Sequence, residues 1–111
     1  MKIQTKNEQG IERIELEGDL DFHSSTELRE ALAKPAGHEA AKILVDLKKV
    51  NYIDSSGLAA FVELFQKSKR YGAKLVLCNP SPGVKSVFEI SKLNTPFKLT
   101  ESETEALAYL S

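Results

Sequence analysis

Val50–Gln66, VNYIDSSGLAAFVELFQ, changes its pattern at one point, and that change predicts the fold. A short apolar run ends at Ile53 and gives way to Asp54-Ser55-Ser56-Gly57, after which apolar residues recur at positions 58, 61, 62 and 65. Intervals of three and four residues are typical of one buried helix face. Residues 54–57, which we call the serine turn, are therefore expected to lie where a buried strand ends and a helix begins.

The serine turn carries one carboxylate and two hydroxyls beside the unpaired N–H groups of a helix N-terminus. The simplest role is capping, because Asp and Ser side chains accept hydrogen bonds from those N–H groups. One cap needs only one side chain, however, and here three polar side chains precede a glycine. A serine at a helix N-terminus can also carry a phosphate, whose charge the helix dipole tolerates. We therefore predict a phosphorylation site in this turn, with capping as the alternative.

Length predicts one domain over residues 1–111, which the order of predicted strands and helices makes an α/β domain, and composition argues against several classes of protein. The chain has 111 residues, 41% of them hydrophobic, and a net charge of −1. It has no surplus of Lys and Arg, so neither direct nucleic-acid binding nor membrane binding is expected. Cys78 is the only cysteine, which leaves no intramolecular disulfide or cysteine-based zinc site. Without a signal peptide or a long apolar run, we expect a cytoplasmic protein.

The remaining pattern predicts alternating strands and helices. Strands are predicted over residues 1–7, 11–18, 42–47, 50–53, 74–78 and 97–99, with turns at 8–10 and at Lys48-Lys49 and loops at 18–22 and 94–96. About four helices are predicted; the first is capped by Ser24 with Glu27 and ends before Pro35, and the second covers residues 56–71 with Gly72 at its end. The third is capped by Ser81, and its apolar face consists of Val84, Val87, Phe88 and Ser91. The fourth is capped by Thr100 with Glu103 and carries Leu107, Ala108 and Leu110.

This order predicts a mixed β-sheet that begins with an N-terminal hairpin and continues with parallel strands joined by right-handed crossovers. Functional groups in such sheets gather beyond the carboxyl ends of the strands. The loops at residues 19–23, 54–57 and 79–81 are therefore expected along one edge, where they would form a binding surface.

The motifs of enzymes are missing, so we predict no catalytic residue and no cofactor. The chain has neither of the glycine-rich phosphate-binding motifs, and Ser55 does not stand in a G-x-S-x-G sequence. His23 and His38 are the only candidate bases, and solvated loop positions explain them more simply. No metal site is predicted, because two distant histidines and one cysteine lack a recognisable ligand spacing. Asp19 and Asp21 are better explained by turn and capping roles than by a bound cation.

Three stretches together resemble the STAS domains of the bacterial anti-sigma factor antagonist family. They are Gly18-Asp19-Leu20-Asp21, then Val45-Asp46-Leu47 through Ile53-Asp54-Ser55-Ser56-Gly57-Leu58, and finally Gly72-Ala73-Lys74-Leu75-Val76-Leu77 followed by Asn79. Their order and spacing cover nearly the whole chain. One departure is Ala59, where many relatives have glycine; alanine should favour the helix by up to about 1 kcal/mol.

The resemblance implies a phosphorylation switch at Ser55, the serine directly after the aspartate, with Ser56 as the lesser candidate. Residues expected to bind the partner are Asp21, Asp54, Ser56, Gly57 and Leu58. The implied partners are an anti-sigma factor serine kinase, which the unphosphorylated protein binds so that the sigma factor is freed, and a PP2C-type phosphatase. The protein itself is expected to be a monomer or weak dimer.

A second function stays open. Other STAS domains are structural subunits of larger assemblies, such as a lipid-transport complex or a stress-signalling particle, and need not share the serine switch.

Overall fold

A computed structural model describes residues 1–93 and 96–111 of the chain. The described residues form five strands and four helices, in the order β1 (Lys2–Glu8), β2 (Ile11–Leu20), α1 (Ser25–Gly37), β3 (Lys42–Ile53), α2 (Ser55–Arg70), β4 (Lys74–Cys78), α3 (Pro82–Ile90), β5 (Lys98–Thr100) and α4 (Glu103–Leu110). The loop predicted at residues 94–96 lies mostly outside this description, since it includes residues 94 and 95.

The strands form one mixed sheet, as the sequence predicts, and their order in it is β1-β2-β3-β4-β5. β1 and β2 pair antiparallel through a tight turn at Gln9-Gly10, where both residues have positive φ, and the following neighbours pair parallel. Positive φ at both central residues suits the twist of a two-residue hairpin. The predicted N-terminal hairpin and the predicted α/β architecture are confirmed.

Helices cover the two faces of the sheet unequally. One face and helices α1, α2 and α3 enclose the main core, which includes Ile14, Leu28, Phe61 and Phe88. Helix α4 covers a smaller patch on the other face. The outer face of β1 and β2 carries mostly charged and polar side chains, so the alternation seen in the sequence follows this division between core and solvent.

Two predicted interruptions of strands are wrong. The loop predicted at residues 18–22 begins only after Leu20, because Gly18, at φ 113°, and a register shift next to it keep β2 paired with β3. The turn predicted at Lys48-Lys49 is a β-bulge: Glu15 pairs with Asp46 but Glu17 pairs with Lys49, so β3 has one extra residue and then continues to Ile53. Both lysines are exposed, which is why their polarity suggested a turn.

The predicted start of α1 after Ser24 is confirmed, but the predicted capping bond and the predicted end are wrong. Ser24 precedes the helix but makes no capping hydrogen bond; its hydroxyl donates to the Asp19 carbonyl at 2.8 Å instead. Pro35 does not stop the helix, which runs on to Gly37. Proline here lies in the last turn and is buried, so the helix loses one N–H bond near its end and keeps the packing of the ring.

Helices α3 and α4 begin and pack partly as predicted. Ser81 caps α3 with Pro82 as its first residue, as predicted, but Ser91 is exposed beyond the end of that helix. The cap of α4 is Ser102 and not Thr100, which ends β5 one residue later than predicted. The buried residues of α4 are Ala106 and Leu110, whereas the predicted Leu107 and Ala108 are exposed.

The thiol of Cys78 should react only slowly with alkylating reagents in the native protein. It is fully buried in β4, where burial and the nearby Asp46 carboxylate raise its pKa to about 12 despite the opposing effect of Arg13. At about pH 8 iodoacetamide should label the native thiol far more slowly than the urea-denatured thiol, as intact-mass spectrometry can measure. Above the ordinary pKa of 9.0 only the unfolded thiol loses its proton, so this group should lower the free energy of unfolding as pH rises. Equal labelling of both states would contradict this burial.

Candidate functional site

The carboxylate of Asp54 is the cap of helix α2. Its Oδ1 accepts hydrogen bonds from the backbone N–H groups of Ser56 at 2.9 Å and Gly57 at 3.2 Å. An extended backbone at Asp54 turns into the helix at Ser55, as an N-cap residue requires. Capping is thus the work of the aspartate, and it does not explain why two serines follow.

The second oxygen of the same carboxylate ties the serine turn to the loop after β2. Asp54 Oδ2 accepts a hydrogen bond from the backbone N–H of Phe22 at 3.2 Å, and the Asp54 N–H donates to the Leu20 carbonyl at 3.1 Å. One side chain therefore fixes both the start of α2 and the position of the neighbouring loop.

Asp21 holds that neighbouring loop from within. Its Oδ1 accepts from the backbone N–H groups of His23 at 3.0 Å and Ser24 at 3.2 Å. These are turn bonds, as predicted for this aspartate. The structure thus brings two of the predicted partner-binding residues, Asp21 and Asp54, to one surface through the shared loop.

The two serines differ in exposure. Ser55, the first residue of α2, is exposed, whereas Ser56 is half-buried. Gly57 is buried and Leu58, only 8% exposed, belongs to the main core. Of the residues predicted from this stretch, Ser55 therefore offers the most accessible hydroxyl, and Leu58 serves chiefly to anchor the helix.

Gly57 lets α2 approach the ends of β2 and β3. A Cβ atom at this position would lie 2.5 Å from the Leu20 carbonyl oxygen and 2.8 Å from Ile53 Cγ1. Both distances are below ordinary contact. The glycine is required for close packing rather than for an unusual φ angle, and it keeps the serine turn pressed against the strand ends.

Two exposed aromatic side chains flank the serine turn, and the sequence reasoning missed both. Phe22, 73% exposed, is the residue whose N–H binds Asp54, and Tyr52, 53% exposed, precedes Asp54 by two positions. The buried strand predicted over residues 50–53 includes Tyr52, although alternation with the buried Ile53 indicates an outward side chain at Tyr52. Aromatic residues are frequent anchors of protein interfaces, so this pair marks a binding surface.

Negative charge surrounds these aromatic residues. Asp19 pairs in register with Tyr52, and Asp21 and Asp54 lie in the two joined loops. Within residues 1–93 and 96–111, none of the salt bridges includes any of these three carboxylates. We call Asp19, Asp21, Phe22, Tyr52, Asp54 and Ser55 the switch surface.

The third predicted loop does not join this surface. The Asn79 side chain donates to Asp46 Oδ1 at 3.3 Å, and β4 ends where Cys78 pairs with Asp46. Asp46 precedes Ile53 by seven residues, so at the usual rise per residue Asn79 lies roughly 20 Å back along β3. The prediction that all three loops share one edge is therefore wrong for residues 79–81, because β3 is much longer than β4.

Other candidate groups lie away from the switch surface or do not assemble. His38 Nε2 lies 2.8 Å from Glu12 Oε1, in a separate surface pair. In the described part of the chain, no three His, Cys, Asp or Glu side chains gather as metal ligands. No helix among the described residues has the length and apolar character needed to cross a membrane.

Comparison with known proteins matches nearly the whole chain. The STAS domain model matches residues 2–106. The anti-sigma-B factor antagonist of Bacillus subtilis (strain 168) is 32% identical over 93 residues, covering 84% of each chain. The structure of the anti-sigma factor antagonist SpoIIAA in its unphosphorylated form has a TM-score of 0.79 at 26% identity, covering 96% of this chain and 93% of that one. The Bacillus cell fate determinant SpoIIAA in the phosphorylated form has a TM-score of 0.75 at 24% identity, covering 99% and 100%.

Adding one methyl group at Gly57 should destabilise the protein. The Gly57→Ala Cβ would collide with the Leu20 carbonyl, and such overpacking costs about 1–3 kcal/mol in the free energy of unfolding. Gly83→Ala is the matched control, because its Cβ meets no atom within 4 Å in helix α3 and should stabilise by up to about 1 kcal/mol. Urea denaturation of both variants measures the difference; equal stabilities would refute the close approach.

Proposed function

The chain belongs to the STAS domain family, and we propose on that basis that it acts as an anti-sigma factor antagonist. Unphosphorylated, it binds an anti-sigma factor serine kinase through the switch surface and frees the sigma factor. Phosphorylation of Ser55 ends this binding, and a PP2C-type phosphatase restores it. The observation that carries the proposal is an exposed Ser55 whose hydroxyl has no capping duty, because Asp54 performs it.

Geometry favours Ser55 over Ser56 as the phosphate acceptor. A kinase must bring the γ-phosphate of ATP in line with the attacking oxygen, so the hydroxyl has to enter the active site of the kinase. Ser55 is exposed, whereas Ser56 is half-buried and its N–H is held by Asp54. Partner binding is proposed to involve Asp21, Asp54, Ser56 and Gly57, with Leu58 contributing through the packing of α2.

Electrostatics explain how one phosphate would end the binding. A phosphoserine adds about −1.5 to −2 charges. The N–H groups of Ser56 and Gly57 that could receive the phosphate are already occupied by the Asp54 carboxylate. The new charge would therefore face Asp54 on one side and the remaining phosphates of the kinase's nucleotide on the other. Like charges at a desolvated interface cost several kcal/mol, which suffices to release the partner without refolding.

This role requires no catalysis by the chain itself. Phosphoryl transfer and its reversal are the work of the kinase and the phosphatase, and the switch surface supplies only an acceptor hydroxyl and a docking site. We place its action in the cytoplasm, as a monomer or weak dimer that exchanges between partners.

The alternative is a structural subunit of a larger assembly, since the fold alone does not fix the function. Such a subunit would keep the fold and the Gly57 packing but would not need an accessible Ser55. The exposed serine beside Asp21 and Asp54, which form no salt bridge within residues 1–93 and 96–111, favours the switch over this alternative.

Replacing Ser55 should separate signalling from folding. Ser55→Ala should abolish transfer of phosphate from ATP by an extract of the native cells, while Ser56→Ala should still accept it. Both variants should keep the free energy of unfolding within about 0.5 kcal/mol of the original, because neither hydroxyl caps α2. Labelled phosphate and urea denaturation are the two measurements. Phosphate transfer to Ser55→Ala at the original rate would overturn the assignment.

Truncating the exposed aromatic residues should weaken partner binding but not folding. Phe22→Ala and Tyr52→Ala are each expected to raise the Kd for the anti-sigma factor kinase about 30-fold, the effect of losing about 2 kcal/mol at an interface anchor. Tyr109→Ala is the matched control, because Tyr109 is 39% exposed on α4, which packs against β4 and β5. Calorimetry of each variant with the purified kinase measures the Kd. Equal losses in all three variants would contradict binding through the switch surface.

A further inference from the structure

A cleft lies near the C-terminal end of helix α2, the opposite end from Ser55. It has a volume of about 250 Å³ and is bounded by the last turns of α2, the start of β4, the segment before β5, and Tyr109 of α4. The residues of α2 that line the cleft, Phe65, Ser68 and Lys69, follow Ser55 by 10 to 14 positions, so at 1.5 Å per residue the cleft lies roughly 15–20 Å from the serine turn. The switch surface and its proposed function make no use of it.

Aromatic rings form the base and one wall of this cleft. Phe65 and Phe97 lie with ring centroids 5.3 Å apart, and Phe97 is only 3% exposed. Phe97 in turn contacts Phe61 and Phe88, so the base of the cleft is the edge of the core's aromatic cluster. Tyr109 forms a wall that is 39% exposed. A flat ring entering the cleft would meet aromatic surface that packing has already fixed.

Lysine ammonium groups surround these rings. Lys69 Nζ lies 5.7 Å from the centroid of Phe65, and the Nζ atoms of Lys74 and Lys98 lie 5.7 and 5.5 Å from the centroid of Tyr109. Among the described residues that line the cleft, none is Asp or Glu. Across the part of the chain that the structure describes, none of these three lysines takes part in a salt bridge. The cleft is therefore positively charged as well as aromatic.

We propose that this cleft binds a small organic anion that carries one aromatic ring. The ring would pack on the half-buried Phe65 and the exposed Tyr109, with Phe97 closing the base beneath them, as aromatic pairs do at centroid distances of about 4.5–7 Å. The acidic group would meet the ammonium groups of Lys69 and Lys98, each of which lies over an aromatic ring. At about 250 Å³ the cleft is smaller than the range of about 300–1,000 Å³ that drug-sized ligands occupy, so it suits a one-ring ligand better than a larger one.

Titration of the uniformly ¹⁵N-labelled chain with phenyl phosphate tests the proposal by NMR. Amide shifts should saturate with a Kd of about 1 mM or below and should concentrate at Lys69, Ala73 and Lys98. Inorganic phosphate and phenol are the matched probes, because each retains only one half of the ligand. Each should bind at least tenfold more weakly than phenyl phosphate.

Variants separate a built cleft from general attraction to lysines. Tyr109→Ala and Lys98→Gln should each weaken phenyl phosphate binding at least fivefold, whereas Lys6→Gln, at an exposed lysine of β1, should leave it unchanged. Ser55→Ala should also bind normally, since the cleft is independent of the serine switch. The proposal would be overturned if inorganic phosphate or phenol bound as tightly as phenyl phosphate. Amide shifts spread over all surface lysines would overturn it too.

Discussion

The carboxylate of Asp54 is the contact on which the rest of the site depends. One oxygen satisfies two N–H groups at the start of α2, and the other holds the N–H of Phe22 in the loop after β2. Helix, strand end and neighbouring loop thus share one charged group. Because this group caps the helix, the exposed hydroxyl of Ser55 is not needed for capping. Gly57 completes the arrangement by allowing the helix to sit against the Leu20 carbonyl.

The length of β3 gives this site its position in the fold. Its register with β4 ends at Asp46, yet it continues through a bulge to Ile53 beside β2. Beyond Lys49 the described part of the sheet therefore consists of β2 and β3 alone, and the serine turn projects beyond β4 and the loop at Asn79. A projecting end can dock into a concave partner without the rest of the domain interfering. Exposed aromatic side chains beside the carboxylates of Asp19, Asp21 and Asp54 are suited to such docking, since anchors and charge then lie together.

Sequence reasoning was reliable where local chemistry and tertiary packing agree. The junction at Asp54, the cap at Ser81, the glycine after α2 and the buried strand β4 were all predicted, as was the family. It failed where packing overrides local preference. Pro35 remains helical because its buried ring packs against the core. The bulge at Lys48 places exposed lysines inside β3, so the sequence pattern resembles two strands joined by a turn. Alternation with Ile53 was enough to place Tyr52 outward, whereas Phe22 lies in a loop, where its exposure depends on tertiary packing that no local pattern indicates.

Peptide mass spectrometry of the protein from its native cells, with and without phosphatase treatment, tests the central claim most directly. The account predicts one phosphate on the peptide that contains residues 54–58, with fragment ions assigning it to Ser55, and its loss after treatment with a PP2C-type phosphatase. A protein that carries no phosphate at Ser55 under any condition of growth or stress would contradict the switch. It would leave Asp54 as a structural cap and the chain as a candidate subunit of a larger assembly.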